Sequence, residues 1–489
     1  MQRFYIENFG CRATQADGAA LERQFLERGM ERAREVREAE IVVLNTCTVT
    51  ESADKDARAS IRRLQRVNPG CRILVTGCYA QRAPGELAAL SGVTWVVGNS
   101  HKHRAAEIAT GCSSVSIPTS SASTGSSGFV PVAQLAENAV ERVVVGDIFA
   151  HTELMAAPVF EAANERTRPN LKVQDGCDNR CSFCVIPYVR GKSRSLGAER
   201  VLGEVRTLVE AGYREVVISG INLGRWGRDL PAGYQSAGVS EPDPVLRSAG
   251  SRKSQASTLR GRPATKGQRL VDLIRAILEQ TSLEKLRISS VEPMDWSDEL
   301  VELAATSPRI AKHAHVPMQS GSDAVLRRMH RKYRPWHYRE KVLKIREAMP
   351  GAAIGADVMV AFPGESDAEF AETRRMVEEL PFTYLHVFTY SARPGTPAAD
   401  QPGRVPAAVA RERNRVLREI ASAKKMLFLR SLVGKEVEAI TLHAGGADFT
   451  EGLTENYLKI RIPDRVQANR WMRLRVEGID GEMLRAARH

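Results

Sequence analysis

The sequence has no apolar run long enough to cross a membrane as a helix, and its opening residues, MQRFYIENFG, lack the pattern of a signal peptide. We therefore expect a cytoplasmic protein with no membrane partner. Cysteines are few, eight in 489 residues, and in a reducing compartment they should bind metal or stay free rather than form disulfides. Acidic residues are outnumbered by basic ones, which gives a net charge of +12 and favours a polyanionic partner such as nucleic acid.

The chain is too long for one hydrophobic core and predicts about two to four domains. We predict an amino-terminal domain at 1–110, a flexible linker at 111–166 with a short strand at 143–146, a second domain at 167–400, a connecting helix at 401–432 and a terminal domain at 433–489. The second domain is interrupted at 231–268 by a Gly/Ser/Pro-rich basic tract without apolar periodicity, which predicts a disordered insertion. A solvated loop is the favoured interpretation of this insertion, and a clamp for RNA phosphates is the alternative.

Three cysteines stand close together in the segment VQDGCDNRCSFCVIPYVR, residues 173–190. Cys177, Cys181 and Cys184 have C-x3-C-x2-C spacing, which lets three thiolates hold three irons of one iron–sulfur cube and leaves the fourth iron open to a ligand. A zinc site is the alternative. Structural zinc takes four ligands, however, and the next histidine along the chain is His313.

The first hundred residues alternate between predicted strands and helices, which indicates a doubly wound parallel sheet. The strands are expected at 3–8, 41–45 and 72–76, and the helices at 14–28 and 54–67. Cys11, Cys47 and Cys78 each follow the carboxyl end of a strand, and in such sheets these ends line one crevice. The sequence therefore predicts a second three-cysteine cluster, with small buried core residues as the alternative. Cys71 and Cys112 are interpreted as bystanders.

A second series of strands and helices begins near residue 167 and predicts six parallel strands. They are expected at 171–174, 215–219, 285–289, 313–317, 353–361 and 385–390. Distinctive residues follow each strand, at the carboxyl ends where barrels of this kind carry their functional residues. Beyond the cysteines, they are Gly220, Asn222, Glu292, Gln319, Ser320, Pro363, Gly364, Glu365 and Arg393. Ordinary loop turns are the alternative for any one of them.

The cysteine triad resembles that of the radical S-adenosylmethionine (SAM) enzymes, whose core fold is a partial (β/α)6 barrel. Four further motifs, NFGCRATQAD, NTCTVTESADKDAR, TGCYAQ and GNSHK, resemble the amino-terminal domain of the methylthiotransferases, which modify a tRNA adenosine or a ribosomal-protein aspartate. These motif sequences are most similar to those of the branch that acts on N6-threonylcarbamoyladenosine in tRNA. In one motif the sequence departs from the family, because Ala361 stands before PheProGly where the family usually has glycine.

The resemblance implies two [4Fe-4S] clusters and SAM as cofactors, with no catalytic side chain because the cofactor carries the radical. The resemblance implies that one SAM methylates sulfur carried on the cluster held by Cys11, Cys47 and Cys78, and that a second SAM, cleaved at the Cys177 cluster, gives the radical that removes hydrogen from C2 of the adenosine. The implied SAM contacts are Phe183, Gly220, Asn222, Glu292 and Gln319. The implied partners are the tRNA anticodon stem-loop and an electron donor such as flavodoxin or ferredoxin, and we expect a monomer.

The carboxyl-terminal region after residue 434 alternates as short strands and predicts a small β-barrel. The segment Glu455-Asn456-Tyr457 resembles TRAM domains, which bind RNA. Tyr457 and Trp471 are candidates to stack on bases, and Lys459 and Arg461 to meet phosphates. Core filling is the alternative for the aromatic residues. The preceding basic helix is interpreted as a solvated face.

Two other functions stay open at this point. A related enzyme would modify N6-isopentenyladenosine in tRNA or a ribosomal-protein aspartate. A protein of a different class, a non-catalytic iron–sulfur sensor, would bind RNA without cleaving SAM.

Overall fold

The computed structural model describes residues 2–111, 142–151, 154, 167–231, 268–446 and 448–487. Cys112, the serine-rich segment 113–128 and most of the predicted insertion, 232–267, lie outside these residues. Across the described ranges, no helix is both long enough and apolar enough to cross a membrane.

The amino-terminal sheet has six parallel strands in the order β2-β1-β3-β4-β5-β6. Its strands are β1 (Arg3–Asn8), β2 (Glu31–Arg32), β3 (Ile41–Thr46), β4 (Arg72–Gly77), β5 (Val93–Gly98) and β6 (Val143–Val144), and its helices are α1 (Arg12–Glu27), α2 (Glu51–Val67), α3 (Cys78–Arg82), α4 (Pro84–Ala88) and α5 (Ala105–Thr110). Strand β3 is buried throughout, with Val42 and Leu44 in one apolar cluster and Ile41 and Val43 in another. Alternate residues therefore cover the two faces of a sheet with helices on both sides, as the sequence predicted.

The central barrel consists of six parallel strands in two sheets, β10-β9-β7 and β11-β12-β13, joined by a parallel bridge between Leu286 and Ile310. The strands are β7 (Asn170–Asp175), β9 (Glu215–Gly220), β10 (Lys285–Ile288), β11 (His313–His315), β12 (Ala353–Val360) and β13 (Tyr384–Thr389), with a short antiparallel β8 (Arg194–Ser195) beside β7. The helices are α6 (Ile186–Arg190), α7 (Ala198–Glu210), α8 (Leu270–Gln280), α9 (Asp298–Thr306), α10 (Asp323–Arg328), α11 (Pro335–Ala348) and α12 (Asp367–Glu379). This arrangement confirms the predicted partial barrel.

Helix α7 illustrates how the barrel acquires its outer layer. Val201, Leu202, Val205 and Leu208 are buried, and their spacing places them on one face of the helix. They share one apolar cluster with strand residues such as Val216. The largest core of the chain therefore lies between the strands of the barrel and their covering helices.

The carboxyl-terminal barrel is closed and has five strands in the order β14-β15-β16-β18-β17. Its strands are β14 (Glu436–Gly445), β15 (Thr450–Thr454), β16 (Lys459–Ile462), β17 (Trp471–Asp480) and β18 (Met483–Ala486), preceded by the long helix α13 (Ala407–Leu432). Leu429 and Leu432 at the end of α13 belong to the apolar core of this barrel. In β16 the two isoleucines are buried while Lys459 and Arg461 point outward, so the pleat decides which side chains reach solvent.

Candidate active site and cofactor sites

The loop after β7 carries Cys177, Cys181 and Cys184. Ser182 fixes the middle of the loop, because its amide donates to Met329 O at 3.1 Å and its hydroxyl donates to Arg328 O at 2.7 Å. Burial and the neighbouring thiol of Cys181 raise the pKa of Cys184 to about 12. A buried thiol whose pKa is raised in this way is deprotonated readily only when a cation is bound, which is the chemistry of an iron–sulfur ligand set.

Two predicted SAM contacts lie beside this cysteine loop. The side-chain amide of Asn222 donates to Cys177 Sγ at 3.5 Å. Glu292 forms a salt bridge with Arg331, whose Nη1 donates to Cys181 Sγ at 3.4 Å. Arg331 is buried and was missed in the sequence, where it stands in a run of basic residues that resembles a solvated surface.

The other predicted SAM contacts differ in their surroundings. Gly220 ends β9, and a Cβ there would lie 2.8 Å from Gln174 Oε1, so the backbone and Gln174 are packed too closely for a larger residue. Gln319 has φ +62°, a left-handed conformation that is costly for a side chain with a Cβ. Phe183 packs edge-to-face on Phe362, with ring centroids 6.5 Å apart.

Buried polar atoms without partners mark this region as fit for a polar ligand. Among the described residues, Asn222 Oδ1 and Gln319 Oε1 are buried and have no hydrogen-bond partner. Buried polar groups are normally satisfied, and leaving one unpaired costs about 1–3 kcal/mol. A molecule with amine and hydroxyl donors, as SAM has, would satisfy these oxygens.

The three dispersed cysteines converge at the carboxyl edge of the amino-terminal sheet. Cys11 is the residue before α1, Cys47 follows β3, and Cys78 begins α3 directly after β4. A Cβ on Gly10 would lie 2.9 Å from Cys47 Sγ, so the turn before Cys11 lies against Cys47. Burial, together with the neighbouring thiols of Cys78 and Cys11, raises the pKa of Cys47 to about 12. The predicted convergence is therefore present, and Cys71 lies apart from it before β4.

A buried ionic network joins this edge of the sheet to the central barrel. Asp17 accepts from Lys102 Nζ at 2.9 Å, from Arg190 Nη2 at 2.9 Å and from Lys172. Asp175 accepts from Lys172 at 2.8 Å and from Arg190 at 2.9 Å. Two carboxylates thus face three cations, and the surplus positive charge lies near Cys78 and Cys11. An anionic group such as a thiolate-bound cluster fits this electrostatic setting.

The two cysteine triads lie on either side of one interface. Cys78 packs against Val185 and Val189, which follow Cys184 in the chain. Asn99 donates from the same amide to Cys78 Sγ at 3.5 Å and to Val189 O at 2.7 Å. The two proposed metal sites are therefore on neighbouring surfaces of the sheet and the barrel.

A cavity of about 490 Å³ opens between these surfaces. Its lining includes Cys11 and Arg12 from the sheet, Gly220 from the barrel and Tyr457 from the carboxyl-terminal barrel. This volume suits a nucleoside or a similar small molecule. Parts of the chain that are hundreds of positions apart thus build one site.

A polar layer on the inner barrel wall was not predicted from the sequence. His315 and His386 each lie beside Asp357, with nitrogen to Oδ1 distances of 3.4 and 3.2 Å. Burial alone would raise the pKa of Asp357, but hydrogen bonds to these two histidines hold it well below its usual range. The signal for this layer was the alternation His313-Ala314-His315 in β11, which places both histidines on one face of the strand.

The predicted RNA-binding residues fall into two groups. Tyr457 lines the cavity and accepts a hydrogen bond from Arg12 Nη2 at 2.9 Å. Lys459 and Arg461 lie on the outer surface of the barrel, paired at 3.1 Å with Glu451 and Asp480 respectively. Trp471 is half-buried, with Lys285 Nζ 5.1 Å from the centre of one of its rings. The structure brings Tyr457, but not Lys459 or Arg461, to the cavity that Cys11 lines.

Comparison with known proteins gives matches over most of the chain. Residues 3–98 match the uncharacterized protein family UPF0004, and residues 171–377 match the Radical SAM superfamily. The threonylcarbamoyladenosine tRNA methylthiotransferase MtaB of Aquifex aeolicus is 33% identical, over 93% of this chain and 95% of that protein. MtaB of Bacillus subtilis is also 33% identical, over 93% of this chain and 89% of its own length. The tRNA-2-methylthio-N(6)-dimethylallyladenosine synthase of Desulfitobacterium hafniense is 27% identical, over 94% of this chain and 91% of that protein.

Among solved structures, the chain is similar to the radical SAM methyltransferase TsrM from Kitasatospora setae, solved with tryptophan and a SAM analogue. The TM-score is 0.52 at 14% identity, over 91% of this chain and 79% of that one. This likeness supports the fold of the sheet and the barrel. The sequence relatives lead to one conclusion: the chain belongs to the radical SAM methylthiotransferase family.

Proposed function

We propose that this enzyme attaches a methylthio group to C2 of N6-threonylcarbamoyladenosine, beside the anticodon of tRNA. The observation that carries the proposal is the placement of two cysteine triads on neighbouring surfaces of one interface, with Cys11 of one triad lining a nucleoside-sized cavity. Relatives with that activity in their names cover nearly the whole chain. The C–H bond at C2 is unactivated, so acid–base groups alone would not open it.

Cys177, Cys181 and Cys184 are proposed to hold three irons of the first [4Fe-4S] cluster. When bound, the cluster and SAM supply a carbon radical that can remove hydrogen from C2. Asn222, Glu292 and Gln319, with Gly220 and Phe183, are proposed to contact SAM. In this assignment the unpaired oxygens of Asn222 and Gln319 would accept from its donors, and Arg331 would orient the carboxylate of Glu292.

Cys11, Cys47 and Cys78 are proposed to hold a second [4Fe-4S] cluster. The buried surplus of positive charge at Arg190 and Lys102 supports this assignment, because an uncompensated buried cation is costly. Asn99 would fix the orientation of Cys78 by donating to its sulfur.

The carboxyl-terminal barrel is proposed to be a TRAM-like RNA-binding domain that contacts the anticodon stem-loop. Tyr457 would contact the modified nucleoside in the cavity. Lys459, Arg461 and Trp471 would contact the surrounding RNA from the outer surface of the barrel. We further propose a cytoplasmic monomer that takes its electron from a flavodoxin or ferredoxin.

The proposal is tested by incubating the iron-reconstituted, reduced enzyme with tRNA, with ribosomal protein and with SAM. Mass spectrometry should find a gain of CH2S on N6-threonylcarbamoyladenosine. Cys184→Ala should abolish both this gain and the release of 5′-deoxyadenosine, whereas Cys71→Ala, outside both triads, should preserve them.

Three other outcomes would each replace the proposal. Modification of N6-isopentenyladenosine alone would assign the enzyme to the dimethylallyladenosine branch. Modification of the ribosomal aspartate alone would assign it to the protein-modifying branch. RNA binding without any 5′-deoxyadenosine would indicate a non-catalytic sensor.

A further inference from the structure

Three arginines surround the ring of Tyr457 where the sheet and the two barrels meet. The guanidinium carbons of Arg287, Arg12 and Arg168 lie 5.4, 5.7 and 6.0 Å from the centre of the ring. Tyr457 has φ +66°, so its position is held against a backbone cost of about 1–2 kcal/mol. A cationic cluster of this kind around a strained aromatic residue suggests a built site rather than a solvated surface.

The positive charges of this cluster are poorly compensated. Glu215 is fully buried and accepts from Arg287 at 2.6 Å, with Arg168 at 3.5 Å. Among the described residues, Arg12 has no acidic partner, and its side chain donates to the hydroxyl of Tyr457. Burial and the nearby Arg287 lower the pKa of His313, which keeps that ring neutral. Three guanidinium groups and one carboxylate leave a strongly electropositive pocket.

The three arginines are not equivalent. The donors of Arg287 are used within the protein, because its guanidinium also donates to Glu455 O at 2.9 Å and to Thr454 O at 3.2 Å. These bonds fix the turn that carries Tyr457. Arg12 and Arg168 line a second cavity of about 450 Å³. These two residues therefore remain to receive an anion.

The second cavity adjoins the cavity that Cys11 and Gly220 line. Arg12 and Tyr457 line both cavities, and Asn170 lines the second. Among the described residues, Asn170 Oδ1 is buried and has no hydrogen-bond partner, so it can accept from a ligand. A purine in the first cavity could therefore extend a polar, anionic substituent past Tyr457 into the second.

We propose that Arg12 and Arg168 bind the carboxylate of the threonylcarbamoyl group on N6 of the substrate adenosine. This inference rests on the proposed function and makes these residues determinants of its specificity. Guanidinium groups match a carboxylate geometrically and form charge-assisted hydrogen bonds. An apolar N6 substituent would leave the guanidinium of Arg12 without an anionic partner, so the pocket disfavours such a substituent.

The test compares two anticodon stem-loops that differ only in that carboxylate. One carries N6-threonylcarbamoyladenosine, and the other carries its methyl ester. The reconstituted wild-type enzyme should bind the acid roughly tenfold or more tightly than the ester. In the Arg168→Gln variant, the affinities for the acid and the ester should be about equal, and the affinity for the ester should match that of the wild type. Arg168→Lys should keep part of the preference, because it retains the charge without the planar fork.

Arg12→Gln should behave like Arg168→Gln, provided that iron analysis finds its clusters intact, since Arg12 adjoins Cys11. Arg374→Gln, at an exposed arginine on α12, is the matched control and should leave both affinities unchanged. Equal loss of affinity for acid and ester in Arg168→Gln would mean that Arg168 contacts an RNA phosphate. That result, or a wild-type enzyme that does not discriminate, would overturn the proposal.

The two proposals fail in different ways. If the wild-type enzyme prefers the acid but does not add CH2S to it, the carboxylate site stands and the proposed function fails. If the wild-type enzyme modifies the acid while Arg168→Gln discriminates as the wild type does, the function stands and the carboxylate site fails.

Discussion

At the scale of single residues, Ala361 shows how one departure from a family pattern becomes visible as backbone strain. The resemblance places glycine at this position, and the structure gives Ala361 φ +62°. Its amide donates to Glu365 Oε2 at 2.7 Å, which fixes the turn after β12. The left-handed conformation costs an alanine about 1–2 kcal/mol, so this turn is held by its surroundings.

Replacing Ala361 by glycine should therefore stabilise the protein by about 0.5–1 kcal/mol, because the relief of strain exceeds the added entropy of the unfolded chain. The measurement is the midpoint of urea unfolding. Gly364→Ala is the matched control, because Gly364 has φ +73° in the same turn. This substitution should lower the free energy of unfolding by about 1 kcal/mol. A midpoint of urea unfolding below that of the wild type for Ala361→Gly would contradict the backbone strain assigned to Ala361.

Single positions also show what the sequence can and cannot predict about the site. Cys11, Cys47 and Cys78 could be grouped in advance because parallel strands end at one edge of their sheet. Arg331 and Asn170 could not, because their importance depends on neighbours that only the folded chain supplies. Tyr457 was correctly selected as distinctive, but its place in the inner cavity depends on how the carboxyl-terminal barrel packs.

At the scale of secondary structure, α13 was predicted as a helix with a solvated basic face, and the structure corrects this for one residue. Arg413 is buried and forms salt bridges with Glu365 at 2.8 Å and Asp367 at 2.7 Å. Two positions further on, Arg415 is exposed, and among the described residues its salt bridges are to Glu412 and Glu419 of its own helix. Periodicity cannot separate the two, because both are arginines in a uniformly basic stretch.

Arg413→Ala should lower the free energy of unfolding by about 3 kcal/mol, since it leaves the buried carboxylate of Glu365 without its partner. Arg415→Ala should change it by less than about 0.5 kcal/mol. Thermal unfolding of the two variants beside the wild type measures the difference. Equal effects at the two positions would contradict the role assigned to Arg413.

The short elements were the hardest to predict. Strands β2 and β8 have two residues each, which is too few for an alternating pattern, whereas the equally short β6 falls within the strand expected at 143–146. Strand β5 is longer, but its sequence VTWVVG was left unassigned. The six barrel strands were predicted because each is an apolar run followed by a distinctive loop, whereas the edges of sheets depend on pairing with other strands.

At the scale of the whole molecule, the network around Asp17 holds the amino-terminal sheet against the central barrel. Asp17 and Arg190 are separated by 173 positions in the sequence. Nothing in the local motif NFGCRATQAD predicts that its aspartate meets Lys172 and Arg190, because such a contact follows only from the packing of two separately folded layers. The cavity lined by Cys11 and Gly220 depends on the same packing.

Asp17→Asn should destabilise this interface by about 3–5 kcal/mol, because it leaves three buried cations with a single carboxylate. Calorimetry should then resolve unfolding of the sheet at a lower temperature than unfolding of the barrel. Glu27→Gln, at an exposed position of the same helix, is the matched control and should leave the profile unchanged. A wild-type profile for Asp17→Asn would show that the network does not support the interface.

The central claim is that the chain holds two separate clusters, one on each cysteine triad, and iron analysis of Cys47→Ala tests it most directly. Reconstituted wild-type protein should hold about eight iron and eight sulfide ions per chain. Cys47→Ala should hold about four of each, with the cluster at Cys177, Cys181 and Cys184 retained, and Cys71→Ala should match the wild type. If Cys47→Ala keeps the full wild-type content of iron and sulfide, the account is contradicted.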